Sequence, residues 1–182
     1  QRIVEGTEQK MDLGYVNNHY FTCMSGVGFD AKVIKHTPKR LKKRYGLFSF
    51  IAIGFNLMIR YRFKSIQFYL DDQKKIHNAY FMVVMNSRYY GGKFILAHNA
   101  DMADGKFDVF ILKNKNIMTV FWFINQLIRG RLQPSGFVDI IQASSLTFLP
   151  DQKHHIHVDA EYIGKHSCAQ FKIVSESLTI VS

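Results

Sequence analysis

Short apolar or alternating segments, separated by turn-forming residues, make up most of the chain. The strand-like segments are residues 20–25, 63–70, 76–86, 107–112, 140–149, 156–159, 169–174 and 178–181. Turn signals such as Asp71-Asp72 and Asp104-Gly105 lie between them. Many short strands at this spacing favour antiparallel sheets that pack face to face. We therefore predict a mainly β (α+β) fold: an antiparallel β-sandwich with two or three flanking helices.

Three segments have helical patterns. Residues 31–45 are rich in lysine and arginine, and Pro38 either starts or interrupts a helix there. Residues 47–60 are apolar on nearly all sides, so we expect this helix to be buried or docked on an apolar surface. Residues 117–128 carry the aromatic side chains Phe121, Trp122 and Phe123. The longest apolar run, residues 47–59, is shorter than the roughly 20 residues that a membrane-spanning helix needs.

Length and cysteine content narrow the class of protein. A chain of 182 residues can bury a core, and we expect residues 1–182 to form a single domain. Cys23 and Cys168 are too few for a disulfide framework, and we expect both to be reduced core residues of a cytosolic protein. The chain begins at Gln1 rather than at a methionine, so we expect it to be a piece of a longer protein.

Positive charge is concentrated in one part of the chain. Residues 32–70 contain ten lysines and arginines and no aspartate or glutamate, a local charge that equals the formal +10 of the whole chain. Such a block can contact phosphate, an anionic membrane surface or nucleic acid, or it can be a solvated helix face. Because the block contains no recognisable nucleic-acid recognition motif, we expect no nucleic-acid partner.

The segment from Gly26 to Ala31 reads G-V-G-F-D-A and follows an apolar run. It matches the G-x-G-x-x-A pattern of dinucleotide-binding loops, but no acidic residue follows about 20 positions later, and none occurs before Asp71. The missing βαβ alternation also disfavours a dinucleotide site. Two interpretations remain open: a tight turn between a strand and a helix, or a turn that directs Asp30 into a cleft.

Histidines and carboxylates cluster near the carboxyl end, at His154, His155, His157, Asp159 and Glu161. In a strand, residues 155, 157, 159 and 161 would share one face, and two histidines with two carboxylates can bind a transition metal. An exposed polar strand face is the favoured interpretation, because spacing alone is weak evidence for a metal site. On a turn, Asp159 and Glu161 could instead face one cleft, as a base and a magnesium ligand. The alternative is a solvated hairpin tip.

Residues 100–106, A-D-M-A-D-G-K, allow two interpretations. The segment can be an ordinary Asp-Gly turn, which the spacing alone favours. It can also be a loop around a hard cation, with the carboxylate of Asp104 and the backbone carbonyls of Asp101 and Lys106 as ligands.

Four phrases in this order resemble the superfamily of diacylglycerol kinases, sphingosine kinases and bacterial lipid kinases. They are S-G-V-G-F-D-A at residues 25–31, Y-G-G-K-F at 90–94, Ala100 followed by Asp104-Gly105, and V-D-A-E-Y at 158–162. The resemblance extends from about residue 11 to residue 181 and is to the second, C-terminal domain of such a kinase. Each phrase alone is weak evidence, whereas the ordered set is fairly specific.

The resemblance implies a magnesium-dependent kinase that transfers the γ-phosphate of ATP to a lipid hydroxyl. In that superfamily the active site is a cleft between two domains, and the nucleotide binds mainly to a G-G-D-G-T loop of the N-terminal domain. This chain contains no such loop. We therefore expect the N-terminal nucleotide-binding domain to be absent from it, and the chain to be inactive alone.

Carried over by position, the resemblance makes Asp159 the general base and Glu161 a carboxylate that organises the nucleotide magnesium. The magnesium interpretation of Asp104, with the carbonyls of Asp101 and Lys106, then becomes the preferred one. The residues assigned to the cleft are Gly26, Gly28, Asp30, Gly91 and Gly92. One departure is Ala160, which stands where the family has glycine. If that position needs a positive φ, the alanine costs about 1 kcal/mol.

The expected partners are a lipid alcohol, an anionic membrane surface and the missing N-terminal domain. Residues 39–44 could contact lipid headgroups, and residues 47–59 with the aromatics of 121–123 could line an acyl pocket, although core packing is favoured for most of those side chains. We expect a cytoplasmic protein, peripheral at the membrane, and a homodimer is left open. The rival hypotheses are a non-catalytic lipid- or membrane-binding module and a relative of nicotinamide-nucleotide kinases.

Overall fold

The structure is a computed structural model that describes residues 6–58, 60–150 and 152–181. Its strands are β1 (Glu8–Val16), β2 (His19–Phe21), β3 (Met24–Val27), β4 (Ile66–Leu70), β5 (His77–Ala79), β6 (Phe81–Met85), β7 (Tyr89–Tyr90), β8 (Phe94–Ile95), β9 (Phe107–Leu112), β10 (Val138–Ala143), β11 (Ser145–Phe148), β12 (His154–Val158), β13 (Glu161–His166) and β14 (Gln170–Val181). Its helices are α1 (Phe29–His36), α2 (Lys39–Tyr45), α3 (Leu47–Met58) and α4 (Ile117–Ile128).

Two six-stranded antiparallel sheets stack on each other. The first has the strand order β2-β1-β14-β11-β4-β5, and the second has the order β10-β9-β6-β3-β12-β13. Buried apolar side chains fill the space between them, where Phe21 of the first sheet stacks on Phe107 of the second with ring centroids 5.7 Å apart. Helices cover the other face of the second sheet, where Phe123 of α4 packs on Phe110. The predicted antiparallel β-sandwich with flanking helices is confirmed.

The centre of the second sheet is buried on both faces, which explains its unbroken apolar sequences. In β6, Met82 and Val84 belong to the core between the sheets, whereas Val83 and Met85 pack under the helices. Alternate residues of a strand point to opposite faces, so a strand covered on both sides must be apolar throughout. The second sheet is therefore the middle layer of the molecule.

The helices follow the predicted pattern with two differences. α4 has the predicted bounds, and its N-terminal amide of Met118 donates to the side chain of Asn116 at 3.0 Å. The basic segment forms two helices rather than one, because the chain leaves α1 at Thr37 and restarts at Pro38. α3 ends at Met58, and Ile59, which the prediction included, lies outside the described residues.

The predicted burial of α3 is wrong for one of its faces. Phe48 is 72% exposed and Phe55 is 57% exposed, whereas Phe50 and Ile53 pack against the core beneath the helices. None of the described helices is long and apolar enough to cross a membrane.

Residues 20–25 and 140–149, each predicted as one strand, are pairs of strands that belong to different sheets. Residues 20–25 divide into β2 and β3, and residues 140–149 divide into β10 and β11. At the second crossing, the Asp71 carboxylate accepts the backbone N–H groups of Ser144 and Ser145, both at 2.9 Å. Hydrogen bonds to a side chain replace the ladder there, so the chain can leave one sheet for the other.

Three smaller corrections concern boundaries and cysteines. Residues 76–86 divide into β5 of the first sheet and β6 of the second, and the predicted strands 169–174 and 178–181 are one strand, β14. Cys23 and Cys168 are free thiols, but both are exposed rather than in the core, because Cys23 lies in the crossing between β2 and β3 and Cys168 precedes β14.

Candidate functional site

A two-residue hairpin turn joins β12 to β13 and carries both predicted catalytic carboxylates. Val158 pairs with Glu161, and the loop residues Asp159 and Ala160 have φ of 41° and 62°. Positive φ at both central positions is the signature of a type I′ turn, which favours glycine at the second of them. Ala160 therefore has the positive φ at which an alanine is strained, which is the condition considered for this position from its sequence. Both carboxylates are exposed at this turn.

The Asp159 carboxylate is the anchor of this turn. One oxygen accepts the N–H groups of Cys23 and Met24, at 3.0 and 2.9 Å. The other accepts the N–H of Thr22 at 2.7 Å and its hydroxyl at 3.0 Å. Asp159 thus holds the crossing between β2 and β3, as Asp71 does at the crossing between β10 and β11. Since a carboxylate offers about four lone-pair positions, all are occupied in this arrangement.

A buried pair lies behind the turn. His157 of β12 is fully buried, and its Nε2 lies 2.7 Å from an oxygen of Asp30 on α1. The hydroxyl of Tyr90 donates to the second oxygen of Asp30 at 2.6 Å. Asp30 is only 6% exposed, so it does not point into an open cleft, as one interpretation of the sequence had it.

The glycines of the first phrase make room for this arrangement. A side chain on Gly26 would collide with the Asp30 carboxylate and the His157 ring, so only glycine fits at that position of β3. Gly28 has a φ of 78° and precedes α1. Its N–H donates to the carbonyl of His155 at 2.8 Å. The tight strand-to-helix turn is thus the correct interpretation of this phrase.

Gly91 and Gly92 form the tight turn between β7 and β8, with φ of 59° and 88°. Tyr90 immediately precedes this turn and pairs with Phe94 across it. The hairpin therefore places the Tyr90 hydroxyl at Asp30. This contact joins the segment 90–94 to the segment 25–31. Asp30 in turn joins both segments to His157 of the histidine cluster.

The histidine cluster is neither the exposed strand face that the sequence favoured nor a metal centre. His154 and His157 are buried, and β12 ends at Val158, so Asp159 lies in the turn and not on the strand face with the histidines. Among the described residues, no three His, Cys, Asp or Glu side chains group together as metal ligands.

His155 lies two residues before His157 in β12 and faces a group of cations. Its Nδ1 lies 2.7 Å from the Tyr162 hydroxyl. Burial, with the nearby charges of Lys165, Lys35 and Lys32, lowers the pKa of His155 to about 4. The imidazole is therefore neutral at physiological pH, and the charge beside the turn comes from the lysines. Lys42 of α2 adds to it by donating to the carbonyl of Ala160 at 3.0 Å.

The loop of residues 100–106 is tied to the first sheet. Asp12 of β1 is buried, and its carboxylate accepts the N–H groups of Gly105 at 2.7 Å and Glu176 at 2.8 Å. Inside the loop, Asp101 and Asp104 each accept the N–H two residues further on, at 3.0 and 2.9 Å. Burial and the charge of Asp104 raise the pKa of Asp108.

This loop suits a hard cation in its chemistry. Within the described part of the chain, no N–H group donates to the second oxygen of Asp104, and the carbonyls of Asp101 and Lys106 are the further oxygens assigned to the ion. Carboxylate and carbonyl oxygens are the ligands that Mg²⁺ and Ca²⁺ prefer. Asn86 links this loop to the turn at 159–161, because its Nδ2 donates to the carbonyls of Asp12 at 2.9 Å and Thr22 at 2.8 Å. Asp12 accepts the Gly105 N–H of the loop, and Thr22 donates its N–H to Asp159.

Sequence reasoning found the turn, the glycines and the loop, but it missed Tyr90, Thr22 and the partnership of Asp30 with His157. Asp30 and His157 are 127 residues apart. Nothing in local spacing connects them. The glycine at position 26 is an indirect signal, because a side chain there would collide with both.

The fold and this turn define a β-sandwich domain of the lipid kinase and NAD kinase type. Residues 24–182 match the family described as the YegS C-terminal NAD kinase beta sandwich-like domain. The chain belongs to this family.

Relatives and solved structures agree with this assignment. A diacylglycerol kinase of Staphylococcus epidermidis is 25% identical over 163 residues, which cover 90% of this chain and 52% of the relative. A diacylglycerol kinase of Staphylococcus aureus is 27% identical over 167 residues, with 90% and 52% covered. The crystal structure of a diacylglycerol kinase from Bacillus anthracis, 15% identical, has a TM-score of 0.67 over 98% of this chain and 55% of the other, which shows the shared fold. The chain spans about half the length of the curated relatives it matches.

Proposed function

We propose that this chain is the C-terminal domain of an ATP-dependent lipid kinase. The observation that carries the proposal is the match of nearly the whole chain to about half of proteins named diacylglycerol kinase. An N-terminal domain would supply the nucleotide site. The acceptor would be the hydroxyl of a diacylglycerol-like or sphingoid-like lipid, and ATP with Mg²⁺ would be the donor.

The turn at 159–161 supplies the residues for the transfer. Asp159 would accept the proton of the acceptor hydroxyl while the acceptor oxygen bonds to the γ-phosphorus and the bond from that phosphorus to the ADP oxygen breaks. To do so, Asp159 must release one of its four donors. The Thr22 hydroxyl is the one that can rotate away, so the acceptor hydroxyl would take its place. Glu161, exposed beside it, would help hold the magnesium that neutralises phosphate charge.

The outer surface of the helices supports a lipid acceptor. Phe55 of α3 and Phe121 of α4 lie with ring centroids 6.5 Å apart, so their exposed faces are continuous. Between these helices runs an open groove of about 460 Å³, lined mainly by apolar and aromatic side chains, with Lys115 among them. Of the predicted aromatic group, Phe123 packs in the core, whereas Phe121 faces outward and is 43% exposed. The groove is suited to an acyl chain.

Basic residues adjoin this apolar surface. α2 contains five lysines and arginines, no acidic residue and no buried side chain. Apolar side chains beside clustered cations complement an anionic lipid bilayer. We therefore propose that the protein works at a cytoplasmic membrane surface, with α2 and the exposed faces of α3 and α4 towards the lipid.

Transfer of labelled γ-phosphate from ATP to a panel of lipid alcohols tests the proposal. The assay compares the longer protein with this 182-residue chain, with and without magnesium. We expect transfer by the longer protein alone. Asp159→Asn should lower kcat by about 100-fold or more, the usual contribution of a positioned base. Glu161→Gln should also lower it, whereas Asp72→Asn, a change to an exposed turn carboxylate, should not.

The outcomes separate the rival functions. Binding of lipid without transfer by any form would favour a non-catalytic module. Transfer only to a nicotinamide dinucleotide would favour a relative of the NAD kinases. Because Asn at position 159 would turn an amide towards backbone donors, the melting temperature of each variant is measured alongside. Unchanged turnover in folded Asp159→Asn would remove Asp159 from the mechanism.

A further inference from the structure

A chain of hydrogen bonds runs from the hairpin of residues 89–95 to the turn that carries the carboxylates. Tyr90 donates to Asp30 at 2.6 Å, Asp30 lies 2.7 Å from Nε2 of His157, and Nδ1 of His157 lies 3.3 Å from the N–H of Ala160. The chain ends inside the two-residue turn, between Asp159 and Glu161.

The position of each proton in this chain is determined by its neighbours. The Ala160 N–H can only donate, so Nδ1 of His157 must be an acceptor and the ring proton must be on Nε2. That proton is donated to Asp30, whose other oxygen accepts the Tyr90 hydroxyl. Burial of the hydroxyl and the charge of Asp30 raise the pKa of Tyr90 well above its usual value, so it stays a donor.

The turn needs such support because its backbone is unfavourable for its sequence. Ala160 has a φ of 62°, a conformation that costs an L-residue about 1 kcal/mol or more. The carboxylate of Asp159 holds the first loop residue through residues 22–24. The ring of His157 holds the second, through the Ala160 N–H. The two anchors together fix the direction in which Glu161 leaves the turn.

We infer that Tyr90, Asp30 and His157 are positioning residues that hold the Asp159–Glu161 turn in the geometry used for phosphoryl transfer. The inference rests on the proposed function, since it names how that site is aligned. His157 acts on the turn through its Nδ1 acceptor, Asp30 fixes the tautomer that makes Nδ1 an acceptor, and Tyr90 fixes Asp30.

Two substitutions of His157 separate its two hydrogen bonds. His157→Asn places an amide oxygen near the position of Nδ1, so it keeps an acceptor for Ala160 but does not reach Asp30. His157→Gln reaches Asp30 with its amide N–H but has no acceptor for Ala160. If His157 only stabilised the fold, the loss of kcat in each variant would follow its loss of stability, and the two variants would not differ in the protection of the Ala160 amide.

The experiment measures two quantities for each variant. Hydrogen exchange of the Ala160 amide in this chain should stay slow in His157→Asn and become at least about tenfold faster in His157→Gln. In the longer protein, kcat should fall at least about tenfold in His157→Gln while the KM values for ATP and lipid stay nearly constant, because a small misplacement of reacting groups is costly. His157→Asn should keep most of the turnover. Equal loss in both variants, or a protected Ala160 amide in His157→Gln, would overturn the inference.

Tyr90→Phe is the further variant that keeps the test open if His157→Gln does not fold. It removes one donor from Asp30 and leaves the histidine in place, so faster exchange at Ala160 and a lower kcat with unchanged KM are expected. An Ala160 amide as protected as in the unaltered chain would contradict the role of Tyr90 and of the hydrogen-bonded chain through Asp30 and His157. The exchange measurement needs no kinase activity. If the unaltered protein protects the Ala160 amide but transfers no phosphate, the result counts against the proposed function. It does not count against the hydrogen-bonded chain.

Discussion

Aspartate carboxylates accept backbone N–H groups where the main chain departs from regular strands. Asp71 and Asp159 accept backbone N–H groups where the chain crosses between sheets, and each has a positive φ itself. Asp12 does the same at the bulge of β1 against β14, where it accepts the N–H of Glu176. A carboxylate can accept several amides at once and so replaces ladder bonds that a bend removes. Asp159 is therefore a structural residue as well as the proposed base.

Substitution of Ala160 by glycine should stabilise the protein. Glycine removes the steric cost of φ at 62°, about 1–2 kcal/mol, and adds a smaller entropic cost in the unfolded chain. We expect a gain of about 0.5–1 kcal/mol, which corresponds to a rise of about 1–4 °C in Tm for a chain of this size. Thermal unfolding followed by circular dichroism measures it.

Ala103→Gly is the matched control for Ala160→Gly. Ala103 lies in an exposed turn and is not among the described residues with positive φ, so glycine there brings only the entropic cost. We expect its Tm to stay the same or fall slightly. A Tm for Ala160→Gly that falls as much as the control would show that residue 160 is not strained in solution.

At the scale of elements, the sequence was sufficient where local pattern determines structure. The predicted bounds of β9 and α4 agree with the structure because each is a continuous periodic run with turn residues at its ends. The sequence predicts one strand for residues 140–149, because no glycine, proline or charged residue interrupts them. The division there depends on Asp71, which is 73 residues away in sequence. Contacts at such a separation leave no signal in local spacing, and for Asp30 with His157 the glycine at position 26 is an indirect one.

The loop of residues 100–106 yields a prediction about magnesium. If Asp104 and the two carbonyls hold the ion in the folded chain only, magnesium should raise the Tm, with about 2.7 kcal/mol of stabilisation at a concentration of 100 Kd. Asp104→Ala should melt lower, because the bond to the Lys106 N–H is lost, and should not respond to magnesium.

Asp101→Ala is the control for this loop. It loses a side-chain bond of the same kind, to the N–H of Ala103, but keeps the backbone carbonyl that is the proposed ligand. It should therefore melt lower and still be stabilised by magnesium. Equal melting of the unaltered chain with and without magnesium would leave an ordinary turn as the explanation of this loop.

At the scale of the whole molecule, the two sheets and the helices form successive layers. The first sheet packs on the second, and α1 covers the other face of the second sheet, while the turn at 159–161 joins two strands of that sheet. α2 connects this turn to the proposed membrane surface, because Lys42 donates to the Ala160 carbonyl while its neighbours are exposed. A bilayer beneath α2 and α3 would thus lie next to the turn that is proposed to receive the lipid hydroxyl.

Vesicle binding tests this arrangement. Replacing Lys39, Arg40 and Lys43 by glutamine removes three charges from α2 and spares Lys42, which contacts the turn. At about 1 kcal/mol for each cation near an anionic surface, partition into phosphatidylglycerol-rich vesicles at low salt should weaken on the order of 100-fold. Replacing Lys74, Lys75 and Lys172 by glutamine removes the same charge from exposed positions in the connection between β4 and β5 and on β14, and should have little effect. Equal losses in the two triple variants would show that binding follows net charge alone. Tight binding to uncharged phosphatidylcholine vesicles, abolished by Phe48→Ser, would assign the contact to the apolar face of α3 rather than to α2.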